Sequence, residues 1–591
     1  MKKFLLLFKF TIIIFFIFIS VYFIYNRKLL NSYYQERLIF KTKKLVSIDD
    51  GLRGNIYDKN GILLVGNKKV YNDNLTYHYN ENEDILEILK FLYNNFNINK
   101  DEFLKKVNNS YKYEDIILKD NLDEKKISLV LNSGVKGLFI KESFERFYPY
   151  KDTLKNVLGS VGPIQKENKN YYLKKGYKLY EKVGISGLER EYEEYLKGTN
   201  AKYKVNNDNS LTLISHGKKG SDLYLSIDIN LVNEINTIIK EELVKAKKHL
   251  NTQYLNDAFV IVGNPKTSEV YSLNGQRYLN DNTFTDISLN NINSAFTMGS
   301  VVKGATISVG YKYNLIEKGK KILDGCVKLK NKTEKCSFKE LGYLDDVSAL
   351  KMSSNYYQFL IAISLLGKKY IPNMDLNVSE KEFNIYRDML SSYGLGIITG
   401  IDLPNEKPGL KGNIISDDLL LNLAIGQYDT YTPIELFNYI NTLAMKGKRI
   451  SPSLVNEIKN NNFVIYKNKH EVVANVQITN DDFNQIHKGF YEVMNNGTGL
   501  GFMNKNLLPA GKTGTSESFI DTDNDGKIDT KTLTLTMAGF FPYDDPKISL
   551  IVVCPNTSHN NGKNKDYIYY LTSKISRRIT NIFNEQKNSF N

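Results

Sequence analysis

The chain has 591 residues, 42% of them hydrophobic, which is long enough for two or more domains with buried cores and excludes a disordered or low-complexity class. Its net charge of +14, from 79 basic and 65 acidic residues, is scattered along the length rather than gathered into one basic stripe, so no nucleic acid is expected as a partner. Only three cysteines occur, without a Cys/His cluster of zinc-ligand spacing. Cys326 and Cys336 are close enough in sequence to pair in an oxidising compartment, but free thiols are the expectation.

In chain order, the first element is Phe4–Tyr25, an apolar run whose only charge is Lys9. As a helix its 22 residues span about 33 Å, close to a hydrocarbon core of about 30 Å, so residues 1–26 are expected to form a transmembrane anchor. A cleaved signal peptide competes with that reading, but no A-x-A-like site follows the run. Residues 27–45 read as a juxtamembrane helix. A first domain over 46–220 opens with strand and turn signals and reads as mixed α and β, while Glu81–Leu138 alternates apolar and charged residues at helical spacing and is expected to be a helical insertion. From Ser221 the pattern becomes helices around strands, with Asp257–Leu273 and Leu533–Val553 as strand pairs and Asp566–Phe583 as a closing helix.

Three short motifs then carry the chemistry: Ser300-Val301-Val302-Lys303, Ser353-Ser354-Asn355 and Lys512-Thr513-Gly514-Thr515, with first residues separated by 53 and 159 positions. Singly they are weak, since Ser133-x-x-Lys136 and Ser348-x-x-Lys351 repeat the first pattern. Their order is what matters. If a helix opens near Ser300, Lys303 shares its face one turn on, within reach of the hydroxyl. A serine becomes a useful nucleophile only when a neighbour takes its proton, and a lysine takes one only if burial or a second cation lowers its pKa. Lys512 is the candidate second cation. Gly299 allows a tight entry in which the Ser300 N–H can face a developing oxyanion. A turn-to-strand reading of Leu508–Glu517 places Gly514 where a substrate backbone would pass closely. A hydroxyl at Ser353 and an amide at Asn355 could relay a proton and hold a peptide carbonyl.

These motifs resemble those of the penicillin-binding proteins, and more narrowly the class B peptidoglycan D,D-transpeptidases. The likeness reaches from about residue 50 to about 575: Arg53–Gly61, Arg146-Phe147-Tyr148-Pro149, Gly159-Ser160-Val161-Gly162 and Gly184–Tyr192 are similar to the pedestal, and Gly394-Leu395-Gly396, Gly426-Gln427 and Gly497-Thr498-Gly499 to the catalytic domain. Met298, Ser268 and Tyr428 depart from the family pattern without removing a reacting group. The resemblance implies an α/β serine acyltransferase domain over 221–591, with a central antiparallel sheet flanked by helices, preceded by an elongated α+β pedestal over 46–220 and one transmembrane helix. It implies Ser300 as nucleophile, Lys303 as base, Ser353 as relay, Asn355 on the donor peptide, and Lys512, Thr513 and Thr515 on its carboxylate, with the Thr515 N–H as second oxyanion donor. No cofactor is required. The implied partners are nascent peptidoglycan stem peptides, β-lactams as inhibitors, and a separate membrane glycan polymerase, because Glu83-Asp84 and Glu114-Asp115 lack the His-x-Gly of a polymerase domain. The implied location is the cell membrane, with the catalytic domain on the extracytoplasmic side. A D,D-carboxypeptidase, a β-lactam sensor or β-lactamase, and a non-catalytic scaffold are the alternatives.

One segment stands apart from this chemistry. Asp521, Asp523 and Asp525 precede Gly526 in the pattern that begins a calcium loop, with Asp529 further on, but Thr532 stands where the closing bidentate Glu belongs. The readings are a weak Ca²⁺ site and a plain acidic turn between strands.

Overall fold

Side-chain alternation along buried strands determines the central layer. In β1 (Asp257–Gly263), Phe259 and Ile261 join one core cluster while Ala258, Val260 and Val262 join another, as a strand buried on both faces requires. Strands β2 (Val270–Tyr278), β3 (Phe284–Asp286), β4 (Ala510–Ile520), β5 (Thr530–Phe541) and β6 (Ile548–His559) complete a six-stranded sheet in the order β3-β2-β1-β6-β5-β4. Every neighbouring pair in it is antiparallel. The structure is a computed structural model and describes residues 45–47, 51–78, 84–108, 116–120, 122–177, 181–199, 202–205, 211–523, 525–559 and 570–589.

Helices pack on this sheet: α1 (Ile229–Ala246), α4 (Pro433–Ala444), α5 (Asn480–Asn496) and α6 (Leu571–Ser589), while α2 (Lys303–Lys312) and α3 (Asn355–Leu365) pack against each other. Asp228 starts α1 by accepting the N–H groups of Asn230 and Leu231, and Leu231, Ile235, Ile239 and Leu243 follow at i, i+4 spacing on its buried face. With Leu571, Ile575 and Ile579 of α6 they pack against Val260, Val262, Leu550 and Val552. On the other face Ile434, Phe437 and Ile440 of α4 share a cluster with Phe259, Ile261, Ile551 and Val553. Each such side chain contributes about 1.5–3 kcal/mol on burial. The expected antiparallel sheet flanked by helices is therefore present. β4 closes one edge, so the strand bearing Lys512 keeps one side free of sheet neighbours.

The chain divides into two compact units that do not follow a single cut near residue 220. One unit holds the described residues up to Gly54 together with 67–145 and 197–220. Its helices Ile85–Phe96, Lys100–Asn108 and Glu124–Ser133 close over Leu75, Tyr77, Phe103 and Leu118. The expected helical insertion over 81–138 is interrupted: Ile116–Lys119 is a strand paired with residues 75–77, with Ile116 and Leu118 buried and Ile117 exposed. That period of two is too short to register against a helical pattern read over a longer window. Leu45, expected to end a helix, instead begins a strand (Leu45–Ser47) paired with Lys202–Val205. The anchor over 1–26 and the rest of the juxtamembrane helix lie outside the described residues, and among the described residues no helix is long and apolar enough to cross a membrane.

The second unit adds 55–66 and 146–196 to the whole of 221–591. Specific polar contacts key these early segments to the sheet domain. Asp58 is fully buried and accepts N–H groups from Asn60, Ile62 and, at 3.3 Å, Ile229 at the start of α1. The Leu154 N–H reaches Asp286 at 3.1 Å, and the Tyr192 hydroxyl donates at 2.9 Å to Asp402, a half-buried carboxylate that also takes the N–H groups of Leu454 and Val455. Arg146 and Glu189 form an enclosed ion pair, with Arg146 Nε 2.8 Å from Glu189 Oε1. Removing one member strands a buried charge, whereas removing both does not. Arg146→Met is expected to cost about 3–5 kcal/mol in denaturant unfolding, with most of that recovered in Arg146→Met/Glu189→Met; an undiminished loss in the double variant would contradict the pairing.

Candidate active site

Ser300 sits where three segments cross. Gly299, at φ +60, donates its N–H to Gly426 at 2.9 Å, and a Cβ at Gly299 would stand 2.8 Å from the Thr515 carbonyl oxygen of β4. Only glycine combines this left-handed backbone with that approach. Ser300 belongs to a 3₁₀ turn, Gly299–Val302, and Lys303 begins α2 immediately after it. The expected helix therefore starts three residues later, but three-residue periodicity still brings the serine and lysine to one side. The departure at Met298 costs nothing visible: its side chain is in the core and its carbonyl accepts from the Thr536 hydroxyl at 2.8 Å. Ser268 adopts φ +58, as the glycine it replaces would, and its hydroxyl accepts from Asn441.

Lys303 and Lys512 are both fully enclosed, and the second motif lies between them. Lys303 Nζ donates to the Ser353 carbonyl at 2.8 Å, the Ser353 hydroxyl at 3.3 Å and Asn355 Oδ1 at 2.7 Å. Lys512 Nζ donates to the same hydroxyl at 3.0 Å and to the Thr513 carbonyl at 2.9 Å. Both lone pairs of the Ser353 hydroxyl are thereby engaged, which leaves its own O–H to donate to a reacting group. Ser353 reaches this position at φ +56, a left-handed conformation uncommon for a residue with a side chain, and it presents carbonyl and hydroxyl to Lys303 together. Ser354, the middle residue of the motif, caps α3 by accepting the Tyr357 N–H at 3.0 Å, so Asn355 is the first residue of that helix.

Burial and the neighbouring charge of Lys512 hold the Lys303 amine well below its ordinary value, against an opposing pull from Asp324. Burial alone brings Lys512 down to about 7. Two enclosed ammonium groups on one hydroxyl disfavour each other, so the site gives up a proton readily. A neutral Lys303 loses one of its three N–H donors and gains a lone pair able to take the proton of Ser300.

The third motif is divided by strand alternation. Lys512, Gly514 and Ser516 are buried, Thr513 is half-buried and Thr515 is exposed. The surface a ligand can touch falls to the two threonines, while the Lys512 ammonium is spent on Ser353 and Thr513. At Gly514 a Cβ would meet Thr536 Oγ1 at 2.2 Å and the Met298 carbonyl at 2.4 Å, so the chain's own packing around Ser300 already requires glycine there. The repeats of the first motif resolve as local structure: Ser348 forms a capping box with Asp345, and Ser133 is the last residue of a helix.

Two features were not legible from the motifs. Cys326 and Cys336 are bonded, correcting the expectation of free thiols: they face each other across two short antiparallel strands with Cα atoms 4.2 Å apart. Asp324 and Ser337, on either side of that pair, bond to residues of the second motif. Cys554 stays free and buried. In the acidic loop, Asp521, Asp523 and Asp525 bring carboxylate oxygens within 4.8 Å of one another. Asp529 does not join them; it accepts from the Thr522 N–H and hydroxyl. Thr532 donates to Asn556.

Ser353→Ala is expected to slow covalent reaction of Ser300 with an acylating probe by about 10²–10⁴-fold, the range of a positioned proton-transfer group, with Tm little changed. An unaltered rate would remove Ser353 from the proton path.

Comparison with known proteins agrees with this geometry. Residues 258–573 match the family model for the penicillin binding protein transpeptidase domain, and residues 48–225 match that for the penicillin-binding protein dimerisation domain. The chain is 35% identical over 471 residues to penicillin-binding protein 2A of Bacillus subtilis, an alignment covering 76% of this chain and 65% of that protein. It is 31% identical over 497 residues to penicillin-binding protein 2B of Streptococcus pneumoniae, covering 79% and 71%. The chain thus spans about two thirds of the length of these curated relatives. The solved structure of penicillin-binding protein 2B of Streptococcus pneumoniae strain 5204 shares the fold, with a TM-score of 0.79 at 24% identity over 92% of this chain and 99% of that one. By its two matched domains and these relatives, the chain belongs to the class B penicillin-binding proteins.

Proposed function

We propose that the protein is a serine-type peptidoglycan D,D-transpeptidase that cross-links stem peptides in bacterial cell wall synthesis. The observation that carries this reading is the single hydroxyl of Ser353 held between two enclosed lysines, one of them a turn away from Ser300. In this scheme Ser300 Oγ attacks the carbonyl of a terminal D-Ala-D-Ala bond as Lys303 takes its proton. The oxyanion lies between the N–H groups of Ser300 and Thr515, and the donor carboxylate against Thr513 and Thr515. The proton passes through Ser353 to the departing nitrogen, so D-alanine leaves and the acyl group stays on Ser300 as an ester. An amine of a neighbouring stem peptide then attacks the ester and loses a proton to Lys303, which passes it to Ser300 Oγ as the ester bond breaks, so the serine is restored as the new amide forms. A β-lactam would acylate Ser300 by the first half of the same path.

The setting belongs to the proposal as well. The apolar run Phe4–Tyr25 supports a single membrane anchor with the catalytic unit on the extracytoplasmic side, where the donor peptide is found. A membrane glycan polymerase would supply the strands to be linked. If water replaced the acceptor amine the same site would act as a D,D-carboxypeptidase, and the enclosed lysines argue against a scaffold without catalysis.

A labelled penicillin is expected to form a covalent adduct that is absent from Ser300→Ala. Labelling that survives in Ser300→Ala would refute the assignment, and release of D-alanine by hydrolysis alone, with an acceptor amine present, would favour the carboxypeptidase. The acidic loop carries a separate proposal, a weak Ca²⁺ site formed by Asp521, Asp523 and Asp525. Asp521 Oδ1 is enclosed without a hydrogen-bond partner among the described residues, which supports it. Ca²⁺ is expected to raise Tm in the native chain and not in Asp523→Ala; no metal dependence in either would overturn the site.

A further inference from the structure

Asn355 has both ends of its amide engaged: Oδ1 accepts from Lys303 at 2.7 Å, and Nδ2 donates to the Cys336 carbonyl at 3.1 Å. The amide is therefore oriented by the hairpin that carries Cys336 as much as by the helix it begins. The same hairpin caps that helix. Ser337 Oγ accepts the Asn355 N–H at 3.1 Å and lies 3.4 Å from the Tyr356 nitrogen, while Ser354 Oγ accepts the Tyr357 N–H. Both hydroxyls donate to one oxygen, Asp324 Oδ1, at 3.1 Å from Ser337 and 2.6 Å from Ser354. Three N–H groups of the first turn of α3 are thus satisfied by two serines that share one carboxylate.

The crosslink sets the register of this arrangement. Asp324 stands two residues before Cys326, and Ser337 follows Cys336 directly, so the disulfide ties the segment bearing the carboxylate to the segment bearing its donor. The Asp324 N–H is anchored to the Gly342 carbonyl at 2.8 Å. We propose that Asp324 and Ser337, kept in register by the Cys326–Cys336 crosslink, are positioning residues that fix Asn355 and, through it, Lys303. They touch neither Ser300 nor a substrate group, and they act by holding the second motif against the base.

The arrangement has an electrostatic consequence as well as a geometric one. The charged groups bearing on Lys303 are Lys512 from β4, which favours the neutral amine, and Asp324 from the hairpin, which favours the charged one. Removing the Asp324 charge lets Lys303 lose its proton at lower pH. At Asp324, loss of a merely structural cap would slow the reaction or lower Tm without moving that midpoint.

The inference rests on Ser300 being the acylated residue, and the test separates the two. Acylation of the full-length protein by a labelled penicillin is followed against pH for the native chain, Asp324→Asn, Ser337→Ala and Ser337→Thr. Asp324→Asn, nearly isosteric, is expected to slow acylation about tenfold and to move the rising limb to lower pH. Ser337→Ala is expected to slow it several-fold with the midpoint unmoved, and Ser337→Thr, which keeps the hydroxyl, to restore most of the rate. Native rates and midpoint in folded Asp324→Asn and Ser337→Ala would overturn the positioning role while leaving the function intact. No adduct in the native chain would instead overturn the function.

Discussion

Everything around the reaction centre follows from enclosing two lysine side chains against one serine hydroxyl. Lys303 and Lys512 reach Ser353 at 3.3 and 3.0 Å, so their nitrogens are at most roughly 6 Å apart. At that separation two positive charges repel by about 3 kcal/mol for an effective dielectric near 20. With burial acting on both, the doubly charged state is the disfavoured one. In the proposed mechanism this supplies a base without a histidine, from a residue that in water would hold its proton far above neutrality.

Such an arrangement needs a scaffold that does not yield. The sheet supplies it by being buried on both faces, and β4 supplies the edge from which Lys512 projects. The 3₁₀ turn of Ser300 is pressed against that edge through Gly299 and Gly514, with Thr536 holding the Met298 carbonyl from β5. The left-handed backbone of Ser353 is a local cost of about 1–3 kcal/mol, sustained because both lysines bond to that residue. The hairpin at Cys326–Cys336 closes the remaining side and gives Asn355 its orientation.

How much of this could be read from sequence depended on how local the determinants are. The strands at Asp257–Gly263 and Thr530–His559 announced themselves by apolar runs, and the three motifs that meet around Ser353 by their order along the chain. The strand Ile116–Lys119 was hidden because four residues with alternating burial sit inside a helical pattern. Gly514 was recognised as necessary, but two of its constraints were hidden: Thr536 on the neighbouring strand, and Met298, more than two hundred residues earlier. Asp324 and Ser337 carry no motif. Their roles exist only because the hairpin closed by Cys326 and Cys336 folds back onto the start of α3, and the pairing of those cysteines depends on the same fold. The inclusion of 146–196 in the catalytic unit likewise rests on distant partners such as Tyr192 with Asp402.

In the proposed mechanism Lys303 works as a neutral amine because it is buried beside Lys512. The second-order rate of Ser300 acylation by a labelled penicillin, measured from about pH 5 to pH 11 in the native protein and in Lys303→Arg, tests it most directly. A rising limb whose midpoint lies well below 10.5, absent from the arginine variant, is the expected result. A midpoint near 10.5, or the same profile in both proteins, would contradict it.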